Sequence, residues 1–507
     1  MRSENVTSVT ISSPAGPGDP EGPRLTPGDL VELQAGEAAH GGSCVARLDG
    51  IAGTAGAGPV VFVRHTLPGE RVRARITEVT ARFARADAVD ILDPVPGRVE
   101  PPCPYARPGG CGGCDWQHAA LPLQRELKAS VVRQQLRRIA RIELPVTVEA
   151  LPGDGEGAGD GPAAPGLGWR TRVRFTVSRD GAAGLRAHRS HEVIEIADCL
   201  IAHPGIRDLG VPQQSWPGAT SVETVVSTEN GERAEIVSGQ VRPAAWKQAT
   251  AESVLAVTSR GGPGPRPRGS GSRDRGSRDR GSRDRGSRDR GVRGGPGGNR
   301  TVRGHSHLLQ RAAERAWRVS ATGFWQVHPA AADTLARAVL DALRPQPGDT
   351  ALDLYCGAGL FTGLLAEAVG RDGTVVGVES GSAAVRDARR NLRQTPWASV
   401  YQGDASEVIA RRELPLARLA VLDPPRAGAA RDVIEYLARR VRVPAPGGSD
   451  GAAGERRIAY VSCDPATLAR DIAIFAAHGW RLENLRAFDA FPMTHHVECL
   501  ATLVAGR

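Results

Sequence analysis

The feature that most constrains the fold of this 507-residue chain is a regular alternation of strand and helix patterns after residue 320. Short β-branched runs alternate there with longer segments of helical periodicity. The predicted strands span residues 350–354, 374–378, 399–402, 419–422 and 458–461. This rhythm predicts a parallel, doubly wound α/β sheet of the Rossmann-like type over residues 321–507. Residues 481–491 and 496–504 are predicted to end it as an antiparallel strand pair.

Acidic residues follow successive strands, at the sheet edge where ligands bind in such folds. Glu379 stands twenty positions past Gly359 of a glycine-containing turn, where a carboxylate can bind ribose hydroxyls. Asp404 ends the third strand, within reach of an adenine edge. Either acid alone could be a helix cap. Together, and without a lysine for phosphates, they favour S-adenosylmethionine as the cofactor over a nucleotide.

Three further residues carry reactive groups toward the same edge. Asp423 lies in a turn stiffened by two prolines, and the alternative is a purely structural turn. Cys463 precedes a predicted helix start at Asp464-Pro465, where the helix dipole is expected to lower the thiol pKa. Alone, this cysteine could merely end a strand. Glu498 lies in an apolar strand, where a charge must be paired or functional.

Residues 24–93 show short alternating runs separated by glycine and proline, which predicts a small β-barrel. Five arginines are expected to form a basic outer face suited to RNA, although any basic protein could show such a face: Arg71, Arg73, Arg75, Arg82 and Arg85. The segment resembles a TRAM domain, a small RNA-binding barrel.

Residues 94–320 are predicted to form a central α+β domain that holds a metal centre. Cys103, Cys111 and Cys114 lie within twelve residues, separated by glycines that let the backbone wrap around an ion or a cluster. Spacing alone leaves zinc and an iron–sulfur cluster open, and base rates favour zinc. A basic helix is predicted at 121–142, and the strand 169–177 carries Arg170, Arg172 and Arg174 on one face.

The remaining segments are low in complexity. Residues 1–23 are expected to form a disordered tail and residues 152–166 a linker, and residues 257–303 hold a Gly-Ser-Arg-Asp-Arg repeat. The repeat fits either a loose RNA-affinity segment or a neutral expansion. The net charge of +9 favours a polyanionic partner. The sequence shows neither a membrane span nor a signal peptide, so we expect a cytoplasmic monomer with reduced cysteines.

Several motifs together resemble the RNA uracil-5-methyltransferase family, which uses S-adenosylmethionine to make 5-methyluridine in tRNA or 23S rRNA. The residues that carry the resemblance are Asp423-Pro-Pro-Arg-Ala-Gly, Tyr460-Val-Ser-Cys-Asp-Pro-Ala-Thr-Leu-Ala-Arg-Asp and Phe491-Pro-Met-Thr-His-His-Val-Glu. The resemblance implies that Cys463 is the nucleophile and Glu498 the base that removes the C5 proton. It also implies that four residues border the cofactor and the target base: Gln326, Tyr355, Glu379 and Asp423.

The same resemblance bears on the metal centre and the target. Many family members hold a [4Fe–4S] cluster on four cysteines, which correspond to Cys103, Cys111, Cys114 and Cys199, with about two extra residues between the first two. Cluster and barrel together make 23S rRNA the favoured target over tRNA.

Two alternatives belong to different functional classes. An RNA cytosine-5-methyltransferase would need a second cysteine beside the proline of its fourth-strand motif, and Asp423-Pro-Pro-Arg has none. A non-catalytic RNA-binding iron–sulfur protein would have no need of both Cys463 and Glu498.

Overall fold

The fold is described from a computed structural model that covers residues 25–48, 59–154, 165–240, 246, 248–257, 299–441 and 455–506. The predicted tail, most of the predicted linker and most of the repeat insert lie outside these residues. Within them, the chain builds a five-stranded, a seven-stranded and an eight-stranded sheet and a separate hairpin.

The first sheet is the predicted barrel. Its strands are β1 (Leu30–Gln34), β2 (Cys44–Arg47), β3 (Val60–Arg64), β4 (Arg71–Val79) and β5 (Phe83–Asp93), in the order β1-β4-β5-β3-β2. Backbone hydrogen bonds from Gly36 to Val45 and from Val45 to Glu37 bring the two edges together. Alternating side chains of all five strands fill the interior, as the period-two pattern requires. Strand β2 was not predicted.

The central sheet has the order β13-β12-β11-β10-β7-β8-β9. Its strands are β7 (Arg172–Val177), β8 (Ala183–Arg186), β9 (Val193–Glu195), β10 (Ala219–Val226), β11 (Arg233–Gly239), β12 (Ser253–Val257) and β13 (Asn299–Arg303). A short helix, α2 (Pro204–Arg207), packs against β10. A hairpin of β14 (His307–Ala312) and β15 (Arg315–Ser320) leads on to the last domain.

The last sheet has the order β18-β17-β16-β19-β20-β22-β21-β6. Its strands are β6 (Val148–Glu149), β16 (Thr350–Leu354), β17 (Thr374–Glu379), β18 (Ala398–Gln402), β19 (Leu419–Leu422), β20 (Arg457–Ser462), β21 (Trp480–Phe488) and β22 (Glu498–Ala505). Strands β16 to β20 are parallel, and β22 lies antiparallel between β20 and β21. The predicted doubly wound sheet with a final antiparallel pair is confirmed.

Helices cover both faces of this sheet. They are α3 (Ala331–Leu343), α4 (Leu360–Val369), α5 (Ser382–Asn391), α6 (Ala405–Arg411), α7 (Arg431–Arg440) and α8 (Pro465–Ala477). One apolar core lies under α3 and α4, and the other lies under α6, α7 and α8. None of the helices within the described residues is long and apolar enough to cross a membrane.

Residues 121–149, expected within the central domain, instead pack on the last one. Helix α1 (Leu121–Gln135) continues as a π-helical turn over Leu136–Ala140, and both contact α8. Strand β6 then pairs with β21 at the sheet edge. Lys128 on α1 is fully buried and lies 2.5 Å (Nζ–Oδ1) from Asp489. Burial of the ion pair anchors the helix to the segment that leads to Glu498.

Candidate active site

Cys463 and Glu498 come together because their strands are antiparallel neighbours. The ladder between β20 and β22 pairs Ser462 with Cys499. The next position on one strand is Cys463 and the preceding one on the other is Glu498, so the two side chains stand at the same end of the pair. Glu498 is 3% exposed, while Cys463 is half-buried at the mouth of the site. The predicted nucleophile and base therefore share one site.

The ionisation of this pair differs from the sequence expectation. Burial, with Glu498 close by, raises the pKa of the Cys463 thiol to about 11. Burial and the neighbouring Asp423 also raise the pKa of Glu498 well above its usual value. The prediction of a lowered thiol pKa from the helix dipole was wrong, because burial and carboxylates from two other strands outweigh the helix end.

Asp423 joins the pair from the end of β19. Burial, with Asp353 nearby, raises the pKa of Asp423 to about 7. The positive charge of Arg426, in the same turn, works against this rise: it lowers the pKa of Cys463 and of Glu498 and so favours their ionised forms. Its Nη2 lies 3.0 Å from Nε2 of His496, so the turn after β19 also contacts the segment before Glu498. Sequence reasoning gave neither Arg426 nor His496 a role.

A buried clamp holds the Asp423 turn against the helix that follows Cys463. The backbone N–H of Ala429 donates to the Tyr460 hydroxyl and to Oδ2 of Asp471, each at 3.0 Å. The Tyr460 hydroxyl itself donates to Asp471 at 2.5 Å. Gly428 has φ +80°, and a Cβ there would lie 2.4 Å from the Arg470 guanidinium and 2.6 Å from the Asp471 carboxylate. Only glycine therefore fits at position 428. The sequence motif contains this glycine but does not show why it is needed.

The cofactor edge is formed by the ends of β16, β17 and β18. Glu379 accepts a hydrogen bond from the backbone N–H of Gly357 at 3.0 Å, which ties it to the glycine turn. Asp404 caps α6 by accepting from the backbone N–H of Ser406 at 2.9 Å, which is the alternative role that the sequence left open, and its role toward a cofactor stays a prediction. Burial and the Asp404 carboxylate raise the pKa of Tyr355, which directly follows β16, to about 12.

Asp353 at the end of β16 supplies a further polar atom at this edge. Its Oδ2 accepts from the Thr362 hydroxyl at 2.6 Å, while its buried Oδ1 has no hydrogen-bond partner among the described residues. This oxygen is enclosed by protein atoms, because Asp353 is fully buried, so the residue serves the edge through its bond to Thr362 in the first turn of α4. Glu379 and Asp404 follow neighbouring strands at this edge, and their part in binding a cofactor stays a prediction.

The segment that carries Gln326 is fixed by the central sheet. Thr171 bonds to the Val327 carbonyl through both its backbone N–H and its hydroxyl, at 2.8 and 2.9 Å. Next to it, Nε2 of His328 lies 2.7 Å from Asp154. Gln326 is half-buried on this rigid segment. Its predicted placement beside the cofactor and the target base stays a prediction.

Two of the three arginines on the predicted strand face share one carboxylate of the central sheet. Arg172 donates to the carbonyls of Ala321 and Gly323 at 2.8 and 2.7 Å and pairs with Glu223 at 2.6 Å. Arg174 shares the same carboxylate. Arg172 therefore positions the segment before Gln326, and the Glu223 carboxylate offsets one of the two positive charges.

Comparison with known proteins agrees with this geometry. Residues 25–89 match the TRAM domain family, residues 310–407 the protein-L-isoaspartate(D-aspartate) O-methyltransferase family and residues 416–505 the tRNA (uracil-5-)-methyltransferase family. An uncharacterized RNA methyltransferase of Streptomyces coelicolor is 44% identical over 94% of this chain and 93% of its own length. Another, of Bifidobacterium longum, is 32% identical over 93% and 96% of the two chains.

The chain belongs to the RNA (uracil-5-)-methyltransferase family. It is an S-adenosylmethionine-dependent RNA methyltransferase of the uracil-5 type. The fold is similar to that of the Pyrococcus abyssi tRNA (uracil-54, C5)-methyltransferase in complex with S-adenosyl-L-homocysteine, with a TM-score of 0.61 and 20% identity over 93% of this chain and 100% of that one.

This uracil-5-methyltransferase gathers its four predicted metal ligands at one cavity. Cys103, Cys111, Cys114 and Cys199 all line it, together with apolar side chains of the central sheet. Burial raises the pKa of each thiol, that of Cys199 to about 11. Among the described residues, no three cysteine, histidine or carboxylate side chains stand close enough to hold a single metal ion.

The loop after Cys114 contacts the methyltransferase's catalytic segment. Asp115 lies 2.6 Å (Oδ2–Nδ1) from His495, and the Trp116 backbone N–H donates to the Met493 carbonyl at 3.0 Å. The Trp116 indole donates to the Gly42 carbonyl of the barrel at 3.1 Å. The cysteine loop therefore sits between the barrel and the segment that ends at Glu498.

The barrel's arginines are mostly paired within the barrel. Arg71 lies 2.8 Å from Asp93, Arg73 lies 3.1 Å from Asp90 and Arg85 lies 2.9 Å from Glu78. Arg75 donates to the Gly28 carbonyl. The predicted basic outer face thus carries less free positive charge than the residue count suggests.

Proposed function

We propose that this enzyme methylates C5 of a uridine in structured RNA through a covalent bond between Cys463 and C6 of the base. The observation that carries the proposal is the antiparallel register of Ser462 and Cys499, which sets Cys463 beside Glu498 at one sheet edge. A nucleophile and a buried carboxyl that share a site suit addition followed by elimination.

Addition comes first, because uracil C5 is a poor nucleophile. The Cys463 thiol, with a pKa of about 11, must lose its proton as sulfur bonds to C6. Asp423, with a pKa of about 7, is partly ionised near neutral pH and is the proton acceptor in this scheme. The electron pair of the C5–C6 double bond moves toward O4, and Arg426 offsets the negative charge of the site.

Bound S-adenosylmethionine supplies the methyl group that C5 takes up. Glu498 then removes the C5 proton, and the electron pair re-forms the double bond while the Cys463 sulfur leaves. The raised pKa of Glu498 makes its carboxylate a strong base at this step. The uridine must leave its stack to reach the half-buried sulfur, so base flipping is part of the proposal.

The residues at the other strand ends bind the cofactor in this scheme. Glu379 takes the ribose hydroxyls and Asp404 the adenine edge, while Tyr355 and Gln326 border the sulfonium side and the base. The position of both carboxylates at the ends of neighbouring parallel strands supports the assignment.

The four cysteines around the central cavity hold a [4Fe–4S] cluster in the proposed enzyme. The support for this proposal is that all four cysteine side chains line one cavity, and that cysteine thiolates are the usual ligands of such a cluster. Anaerobic purification should give a brown protein with about four irons, the content of such a cluster. A colourless protein with one zinc would show that the cysteines hold a different centre.

Two RNA classes are candidate targets. The barrel and the cysteine cavity favour 23S rRNA, while the name of the matched C-terminal family points to tRNA. Mapping of 5-methyluridine in both RNAs, in cells with and without the gene, separates them, because only the true target loses its modification.

The covalent step has a direct test. RNA that contains 5-fluorouridine cannot lose a proton from C5, so the native enzyme should remain bonded to it in denaturant when S-adenosylmethionine is present. Cys463→Ala should give no adduct and no methyl transfer, whereas Cys499→Ala, one position beyond Glu498, should still form the adduct. Methyl transfer by Cys463→Ala would overturn the mechanism.

A further inference from the structure

A cleft of about 550 Å³ lies between helix α5 and the outer part of the central sheet. Five arginines and one carboxylate supply its charged lining: Arg318, Arg386, Arg389, Arg390, Arg393 and Asp387. Hydroxyl groups of serine and threonine residues complete much of the remaining wall. The cleft is therefore polar and strongly positive, and the proposed chemistry does not use it.

Its positive charge is largely free. Asp387 is buried and pairs with Arg318 at 2.5 Å, so this carboxylate is already neutralised. Arg386, Arg390 and Arg393 are exposed, and no ion pair engages them within the described ranges. Arg386 and Arg390 stand one helical turn apart on α5, which aligns their guanidinium groups along one face. In contrast, three arginines of the barrel are paired within it.

The position of the cleft links it to the active site. Ser320 and Thr322 line its wall and immediately precede the segment that carries Gln326. Helix α5 begins at Ser382, three residues after Glu379. The cleft thus runs along α5, from Ala383 in its first turn to Arg393 just beyond its end.

We propose that this cleft binds the phosphate backbone of the substrate RNA at a distance from the target uridine. The inference rests on the proposed function, in that the RNA is taken to be the substrate whose uridine reaches Cys463. Guanidinium groups match phosphate oxygens in geometry and charge, and serine or threonine hydroxyls can bond to phosphate or ribose oxygens. Contacts of this kind position RNA without reading its sequence.

The chain's own repeat is a poor occupant of the same cleft. Each Gly-Ser-Arg-Asp-Arg unit carries two arginines and one aspartate, so its net charge is positive. Like charges would disfavour its binding beside Arg386 and Arg390. A polyanion is the complementary partner.

The test compares two triple variants of the full chain. Arg386→Gln/Arg390→Gln/Arg393→Gln removes the free charges of the cleft. Arg411→Gln/Arg412→Gln/Arg439→Gln removes the same number of charges from exposed residues at α6 and α7, on the other face of the sheet. Affinity for unmodified rRNA and tRNA is measured between about 50 and 200 mM salt.

The cleft variant should bind RNA at least tenfold more weakly, and its salt slope should fall by about two, since each lost phosphate contact lowers the slope by about 0.7 for a single strand. The control variant should keep the native slope. S-adenosylhomocysteine binding, measured by calorimetry, should be unchanged in both, which shows an intact cofactor edge.

Equal losses in both variants, or no loss in the cleft variant, would overturn the proposal. So would binding of inorganic phosphate as tight as that of RNA, because the cleft would then be a small-anion site. Failure of the native enzyme to methylate uridine would refute the proposed function instead, and the salt slopes would still decide whether the cleft contacts RNA.

Discussion

His40 of the barrel lies 3.1 Å (Nε2–Oδ2) from Asp464, the residue directly after Cys463. Asp464 also caps α8, because its Oδ1 accepts from the backbone N–H groups of Ala466 and Thr467 at 3.0 and 2.9 Å. These contacts hold the pKa of Asp464 at about 2, despite the opposing effect of its partial burial. One carboxylate thus joins the barrel, the helix start and the turn that presents the nucleophile.

Replacement of this carboxylate separates its two roles. Asp464→Ala should destabilise the protein by about 1 kcal/mol through loss of the cap, and it should also lower kcat. Asp464→Asn keeps a capping oxygen but loses the charge that faces His40, so it should retain most of the thermal stability. Thermal unfolding and methyl transfer are measured for both. The same loss of stability in both variants would contradict the capping role.

Glu498→Gln should stall the reaction after methyl transfer. A glutamine keeps the shape of the site but cannot take the C5 proton, so an adduct with ordinary uridine RNA should accumulate. Gel electrophoresis under denaturing conditions detects it, with Cys463→Ala in the same background as the control. Normal turnover by Glu498→Gln would mean that another group removes the proton.

Gly428→Ala should disrupt the clamp between the Asp423 turn and α8. The added methyl would meet the Arg470 and Asp471 side chains, and the φ of +80° adds backbone strain of about 1 kcal/mol. Gly479→Ala is the matched control, because φ is +82° there and no atom lies within 4 Å of the added Cβ. Stability should fall further in Gly428→Ala, and activity should fall only there. Similar effects of both would argue that strain alone matters.

The rate of adduct formation should depend on pH near neutrality. Burial raises the pKa of Asp423 to about 7, so the carboxyl stays protonated up to higher pH than an exposed one. The ionised form is the proton acceptor, and the rate should therefore be lost as the pH falls through about 7. Asp423→Asn should be slow and lack this dependence, while Asp404→Asn, on the cofactor side, should keep it. A pH dependence that survives in Asp423→Asn would assign it to another group.

Local sequence patterns predicted the buried strands of the last domain, because the order of apolar and polar residues specifies such strands. Residues 350–354 and 419–422 form strands with the predicted bounds, because a run of apolar residues between turns specifies a buried strand. Strand β2 escaped prediction because Cys44–Arg47 follows a glycine pair closely and contains only one β-branched residue.

The site was predictable only in part. Cys463 and Glu498 could be named because each is an unusual residue at a strand end. The thiol pKa had the wrong direction, because the carboxylates that raise it come from other strands. Lys128 and Asp489 are separated by 361 positions, and no local signal shows that a lysine will be buried.

Contacts between segments far apart in sequence also determine which fragments of the chain can fold on their own. The edge strand β21 pairs with β6, and α8 packs against α1, although the whole central sheet lies between these partners and the last domain in sequence. A fragment that begins at residue 321 would expose an unpaired strand edge and the apolar side of α8, both of which promote self-association. The methyltransferase domain is therefore a folding unit only in combination with residues 121–149.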